Sequence, residues 1–237
     1  MIKIGVIGCC GKMGRRIMAL AGQTDGLQTH LGLERKDCPE INSTLDGVRV
    51  SADMNQIKDI DVVIDFTPMT DKTDLLNAVC KYKKSIVIGT TGLSLEQVAI
   101  IKNASKDIAI VYSPNMSVGV NVMFDLVRQA AAQLKNYKIK IIEAHHIHKK
   151  DAPSGTAKQF AAIIESQIKE PVNDIEAIRQ GEIVGDHEII FESDVDTITL
   201  SHKAKTRDIF AKGALAAAKW VVNKPAGLYN MQDVLKK

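Results

Sequence analysis

The first 21 residues limit the fold more than any other stretch. Lys3 to Gly8 (KIGVIG) is a short, β-branched apolar run that ends in glycine. Gly11 to Ala21 then carries apolar residues at helical spacing, through Met13, Ile17, Met18 and Leu20. A strand that turns through glycines into a helix opens a βαβ unit, and such units build parallel sheets. The alternation continues. Thr29–Leu33, Asp61–Phe66, Ser85–Ile88 and Ile108–Tyr112 read as strands. Lys72–Tyr82 reads as a helix, and Ser94, with Gln97 in the capping-box position, starts another that runs through Lys106. This half of the chain is therefore expected to be doubly wound α/β.

The pattern changes after Asn115. Val118–Leu134 reads as a longer helix, and Lys138–Glu143 partly alternates, as in a strand with one wetter face. A polar loop, His145–Ser154, precedes a helix from Thr156 to Ile168. Pro171–Asp186 reads as irregular, Glu188–Glu192 and Asp196–His202 as strands, and Arg207–Val222 as an Ala-rich closing helix. This second pattern is α+β. With 237 residues, the chain has room for one large domain or two small ones.

Charge and cysteine content narrow the function. A net charge of +3, spread along the chain, does not argue for nucleic acid, which would want cations gathered on one face beside a recognition motif. No apolar run approaches about 18 residues, so neither a signal peptide nor a membrane span is expected. Cys9, Cys10, Cys38 and Cys80 form no CxxC pair and no zinc-finger spacing. Free thiols suit a reducing cytoplasm, and no metal is expected.

Gly8-Cys9-Cys10-Gly11-Lys12-Met13-Gly14 joins the first strand to the first helix. Glycines allow close backbone approach, and a helix N-terminus presents free N–H groups to a pyrophosphate. The spacing is G-x-x-G-x-x-G instead of G-x-G-x-x-G. Glu34, 20 residues past Gly14, is placed to bind the ribose hydroxyls of NAD, whereas Arg35 and Lys12 are cations for the 2′-phosphate of NADP. The pair points to use of both NADH and NADPH, although plain surface charge explains Glu34 and Arg35 as well. Gly89-Thr90-Thr91-Gly92 and Ser113-Pro114-Asn115-Met116 also follow strands and are candidates for the nicotinamide half.

The stretch from Glu143 to Thr156 is the most unusual. Three of the six histidines, His145, His146 and His148, fall within four positions, followed by Lys149, Lys150 and Asp151. Ser154, Gly155 and Thr156 then open a helix and offer an anion cradle. Cations, imidazoles and a helix start suit a small carboxylate. Composition alone leaves a solvated basic loop equally open.

These residues resemble the bacterial dihydrodipicolinate reductase (4-hydroxy-tetrahydrodipicolinate reductase) family nearly end to end. E-x-H-H-x-x-K-x-D-A-P-S-G-T-A, at 143–157, is the family's signature. The nucleotide turn, G-T-T-G at 89–92, P-N-x-S-x-G-V-N at 114–121, I-V-G-D-H-E at 183–188 and G-L-Y-x-M-x-D-V-L at 227–235 match too. The resemblance implies hydride transfer from NAD(P)H to a cyclic imine dicarboxylate in diaminopimelate and lysine biosynthesis. It makes His145 the proton donor/acceptor and Lys149 the proton donor, with His146, Gly155 and Thr156 on the substrate. It also implies a cytoplasmic homotetramer. The expected fold is a Rossmann-like dinucleotide-binding domain, residues 1–115 plus 206–237, interleaved with an α+β substrate-binding and oligomerisation domain, 116–205. The chain departs from many relatives at Lys12, where Arg is common, at Met116, where Phe is common, and at Cys9 and Cys10, which replace Ala or Gly. The segments 37–44 and 171–179 look short. An aspartate or homoserine dehydrogenase relative and a catalytically silent NAD(P)H-binding regulator are the competing readings.

Overall fold

The computed structural model describes residues 1–68 and 72–236. The chain forms two compact units, Met1–Ser117 with Phe210–Lys237, and Val118–Ile209.

In the first unit, β1 (Ile2–Ile7) leads to α1 (Lys12–Ala21) and β2 (Leu27–Leu33), then a short hairpin of β3 (Thr44–Leu45) and β4 (Val48–Ser51). After β5 (Val62–Asp65) come α2 (Thr73–Lys81), β6 (Ser85–Ile88), α3 (Leu95–Ala104) and β7 (Ala109–Tyr112). Among the described residues the sheet has eight strands in the order β12-β7-β6-β5-β1-β2-β4-β3, where β12 is Gly227–Tyr229; all neighbours are parallel except β3 and β4.

Its strands are apolar at consecutive positions because both faces are covered. Ile4, Val6, Val62 and Ile64 pack with Ile17, Met18 and Ala21 of α1. Val63, Ile86, Ile88 and Ile110 pack on the other face with Leu75 and Val79 of α2 and Ile101 of α3. Each such side chain, fully buried, contributes about 1.5–3 kcal/mol. The capping box read at Ser94 and Gln97 is present at the start of α3.

In the second unit, α4 (Val118–Gln133), β8 (Lys138–His145), α5 (Gly155–Ile168), β9 (Ile175–Arg179), β10 (Asp186–Glu192) and β11 (Thr197–Lys203) form a four-stranded sheet, β11-β10-β8-β9, packed against the two helices. α6 (Asp208–Val221) begins at its end. The chain then returns to the first unit, where α7 (Met231–Leu235) follows β12.

Three expectations change here. The Ala-rich helix does not close the chain, because β12 and α7 follow it. The strand read as Lys138–Glu143 continues to His145, because Ala144 and His145 pair with Ile178 and Arg179 of β9. The irregular reading of 171–186 misses β9 itself, a five-residue parallel strand whose alternation is too short to stand out among the turn residues around it.

Candidate active site

The residues expected to bind a dinucleotide lie along one edge of the first unit's sheet. β1, β2, β5, β6 and β7 run parallel, so their carboxyl ends coincide, and the turns leaving them carry the glycine run, Glu34, Gly89–Thr91 and Ser113–Met116. Gly8 takes φ +68°, in the left-handed region that favours glycine. A Cβ on Gly14 would lie 2.1 Å from the Gly8 carbonyl oxygen, so only glycine lets α1 start this close to the turn.

Gly11 caps α1 with no side-chain hydrogen bond, which leaves the leading N–H groups and the positive dipole end to an anion. The Glu34 carboxylate accepts from the Cys10 N–H at 3.3 Å and the Arg35 N–H at 3.1 Å, which holds it over the turn. Lys12 is exposed, and so is Arg35, whose Nε lies 3.6 Å from Asp37.

At the β6 exit, a Cβ on Gly89 would strike the Phe66 ring at 2.3 Å. Thr90 is buried and donates to the Thr67 carbonyl at 2.9 Å, while Thr91 is exposed. At the β7 exit, the Ser113 hydroxyl donates to the Asn115 carbonyl, Asn115 Oδ1 accepts from the Ser117 N–H, and Pro114 is exposed. The Met13 and Met116 side chains pack with the apolar core. A glycine-tight turn, a helix start without a side-chain cap and an acidic residue ending the second strand fit a dinucleotide.

One feature of this edge escaped the sequence reading. Asp65, the last residue of β5, is fully buried and ion-paired to buried Lys72 at 2.6 Å. It also accepts from the Thr67 N–H and hydroxyl at 2.8 and 2.7 Å, which pins the turn after β5. A carboxylate closing an otherwise apolar strand was the available signal.

The histidine–lysine cluster occupies one end of the second unit's sheet. Strand register assembles it. On the helix-facing side, Ile189 pairs with Ile141 and Phe191 with Ile139, an apolar row that continues into His187 opposite Glu143. One step further, His145 stands beside Arg179. The core thus passes into buried polar groups without leaving the sheet face.

Glu143 is fully buried and acts as the hub. One oxygen accepts from the Arg179 guanidinium at 2.7 Å and the Ser154 N–H at 3.1 Å; the other takes a short hydrogen bond from His145 Nδ1. Burial pushes the Glu143 carboxyl up, but Arg179, His145 and the Ser154 amide outweigh it and leave it below the usual range. An ionised carboxylate only accepts, so His145 Nδ1 carries the proton of this hydrogen bond. Burial also pushes the His145 imidazole down, against the pull of Glu143, which favours its neutral form. Gly185 makes room for it: a Cβ there would lie 3.1 Å from His145 Nε2.

His187 meets His145 edge-on, ring centroids 5.3 Å apart, and burial followed by repulsion from His145 takes its pKa down to about 3. Lys149, in the turn after β8, reaches Asp151 at 2.8 Å. Burial raises Asp151, yet Lys149 and other partners leave it lowered.

Ser154 caps α5, its Oγ accepting from the Ala157 N–H at 3.2 Å and lying 3.5 Å from His187 Nε2. The Ala152–Pro153 bond before it is cis. A Cβ at Gly155 would meet nothing within 4 Å, and Thr156 follows in the same first turn. His146 is half-buried, and exposed His148 lies 3.7 Å from Glu182.

Five buried side-chain nitrogens and oxygens lack a hydrogen-bond partner among the described residues, and four of them, on His146, Arg179, His187 and His202, belong to this unit. Sequence reading singled out His145, His146, Lys149 and the helix start. It gave no role to Glu143 and missed Arg179 and His187, which reach the cluster only through strand register.

Two family models match. One described as "Dihydrodipicolinate reductase, N-terminus" covers residues 2–116, and one described as "Dihydrodipicolinate reductase, C-terminus" covers 119–235. A 4-hydroxy-tetrahydrodipicolinate reductase of Geotalea uraniireducens (strain Rf4) is 40% identical over 99% of both chains. The chain belongs to the dihydrodipicolinate reductase family. Another 4-hydroxy-tetrahydrodipicolinate reductase, from Caldanaerobacter subterraneus subsp. tengcongensis, is 38% identical over 100% of this chain and 99% of its own. The Geotalea alignment runs over 266 residues against 237 here, so this member of the family lacks segments that its relative has. A dipicolinate-bound dihydrodipicolinate reductase from Paenisporosarcina sp. TG-14 shares the fold, with a TM-score of 0.84 and 23% identity over 99% of this chain and 100% of that one.

Proposed function

We propose that the protein reduces 4-hydroxy-tetrahydrodipicolinate (dihydrodipicolinate) to tetrahydrodipicolinate with NADH or NADPH, in diaminopimelate and lysine biosynthesis. The observation that carries this reading is the cluster of Glu143, His145 and Arg179 on one sheet end, with Lys149 in the adjoining turn, in a chain of this family.

When bound, the dinucleotide supplies hydride. The chain's own residues do the rest. Lys149, His146 and the start of α5 at Ser154, Gly155 and Thr156 bind the substrate carboxylates. Hydride addition to a conjugated C=C–C=N system builds negative charge, and the Lys149 ammonium is the proton source that quenches it. His145 Nε2 takes up and returns a proton, while Glu143 fixes the ring and its tautomer. Burial of Glu143 and His145 beside the apolar row of the same sheet face strengthens the interaction between them.

The first unit is the dinucleotide-binding domain and the second the substrate-binding and oligomerisation domain. Glu34 takes the ribose hydroxyls, and Lys12 and Arg35 the 2′-phosphate when NADPH binds, so both cofactors serve. The half-buried Ile142, Ile178 and Ile190, on the sheet face away from α4 and α5, support assembly into a homotetramer. No helix among the described residues is long and apolar enough to cross a membrane. The reading is that of a cytoplasmic enzyme without nucleic-acid partners.

The test is a coupled assay. The substrate is generated from pyruvate and aspartate semialdehyde while NADH and NADPH oxidation are followed. Turnover with both cofactors is expected. Tight cofactor binding without oxidation of either would instead favour a silent regulator.

A further inference from the structure

The dinucleotide turn holds a chemistry that binding a dinucleotide does not require. The turn needs small residues, yet it carries two adjacent thiols. Cys9 is fully buried, its Sγ packed against Gly32, and Cys10 is half-buried, with Sγ 3.9 Å from Cys9 Sγ. A Glu34 carboxylate oxygen and both sulfurs all lie within 4.8 Å of one another. The Cys38 thiol, half-buried after β2, is near enough to interact with both Cys9 and Cys10. Three of the chain's four cysteines therefore gather with a carboxylate where the neighbouring strands β1 and β2 end.

Two uses of paired thiols have different geometries. A disulfide usually spans Cα atoms about 4.4–6.8 Å apart, whereas adjacent residues across a trans peptide sit at about 3.8 Å, so a bond between them would be strained. Two thiolates on one tetrahedral zinc, each at about 2.3 Å, stand about 3.8 Å apart. The observed 3.9 Å matches the second arrangement. Soft sulfur ligands with one carboxylate select a thiophilic divalent ion over a hard one.

We propose that Cys9, Cys10 and Glu34 bind a thiophilic divalent metal ion, Zn2+ in the first instance, and that the bound ion excludes the dinucleotide. Cys38 or water completes the tetrahedron. Each ion displaces the two thiol protons, which pass to the buffer. The exclusion rests on the dinucleotide reading above. Glu34 cannot ligate metal and hold ribose hydroxyls at once, and an ion between the sulfurs occupies the turn itself.

Co2+ serves as the probe, titrated into the reduced full-length protein. One equivalent should give a sulfur-to-cobalt charge-transfer band with tetrahedral d–d bands, all lost on adding Zn2+. Cys10→Ser and Cys9→Ala, checked for folding by circular dichroism, should each weaken Co2+ binding by at least about tenfold. No charge-transfer band, or the same band in Cys10→Ser, overturns the site.

NADH fluorescence titration supplies the second readout. Zn2+ should raise the NADH Kd at least about tenfold in the unmodified chain and leave that of Cys10→Ser unchanged. Equal NADH affinity with and without Zn2+ overturns the exclusion. Failure of the metal-free protein to bind NADH is a distinct result. It would overturn the dinucleotide reading and the exclusion with it, while the Co2+ spectrum decides the metal site by itself.

Discussion

The two functional regions are built on opposite principles. The proposed dinucleotide edge of the first unit is built from backbone: glycines that allow close approach, helix N–H groups without a side-chain cap, and a single carboxylate held over a turn. The sheet end of the second unit works with side chains: a buried carboxylate, a guanidinium and two imidazoles whose charges depend on one another. The first needs shape to grip an anion. The second needs protons in defined places to do chemistry. Damage to the first should therefore appear as lost cofactor binding, and damage to the second as lost turnover.

The largest expected effect is on the second region. Lys149→Ala and His145→Gln should each lower kcat by about 10²–10⁴-fold, the range for a positioned acid or base. Steady-state kinetics check this. Near-normal turnover in either variant would remove that assignment.

Next is Glu143→Ala. It takes the carboxylate partner from the half-buried Arg179 guanidinium, which keeps only the Ile178 and Asp151 carbonyls, at a cost of about 1–3 kcal/mol, which urea denaturation would read. An unchanged midpoint would mean that Glu143 is not the hub.

Gly14→Ala brings the same kind of test to the turn. Its Cβ would meet the Gly8 carbonyl at 2.1 Å, so α1 must shift, at about 1–3 kcal/mol and with loss of NADH affinity. The hydrogen-bonded cluster around Glu143 in the second unit should keep its pH-dependent stability, and its loss would break the comparison.

Acid should act on the second region through His187. Its pKa is about 3 in the native state against an ordinary 6.5, so the unfolded chain takes up this proton first as pH falls. Stability should then drop steadily from about pH 6.5 toward 3, with the lowered Glu143 adding to the loss below its ordinary 4.5. His187→Gln should flatten the slope of urea midpoint against pH. An identical slope would show that the proton goes elsewhere.

The smallest effect is at the surface. Arg35→Ala should reduce kcat/KM for NADPH by about tenfold, or about 1.4 kcal/mol, and leave NADH alone. Equal loss with both cofactors would contradict the 2′-phosphate role.

The same contrast explains what was legible before the structure. The turn from Gly8 to Gly14 and the cap at Ser94 are local, so spacing alone reveals them. The parallel sheet follows from strands and helices in alternation. The second site is only half local. His145, Lys149 and Ser154 lie within ten positions and were readable together. Arg179 and His187 are more than 30 residues from His145 along the chain, and only the pairing of β8 with β9 and β10 brings them in. β9 escaped notice as a strand, so Arg179 had no reason to be placed. The Asp65–Lys72 pair stayed hidden for a related reason, since nothing in a short apolar run tells which cation will meet its terminal carboxylate.

If the proposed roles hold, cofactor grip and proton chemistry reside in separable parts of the chain. The most direct measurement takes the His145→Gln, Lys149→Ala double variant and determines both its NADH Kd by fluorescence titration and its kcat in the coupled assay. A Kd within about twofold of the unmodified protein and a kcat at least about 10³-fold lower are expected. A Kd that collapses along with kcat, or a kcat that survives, would contradict it.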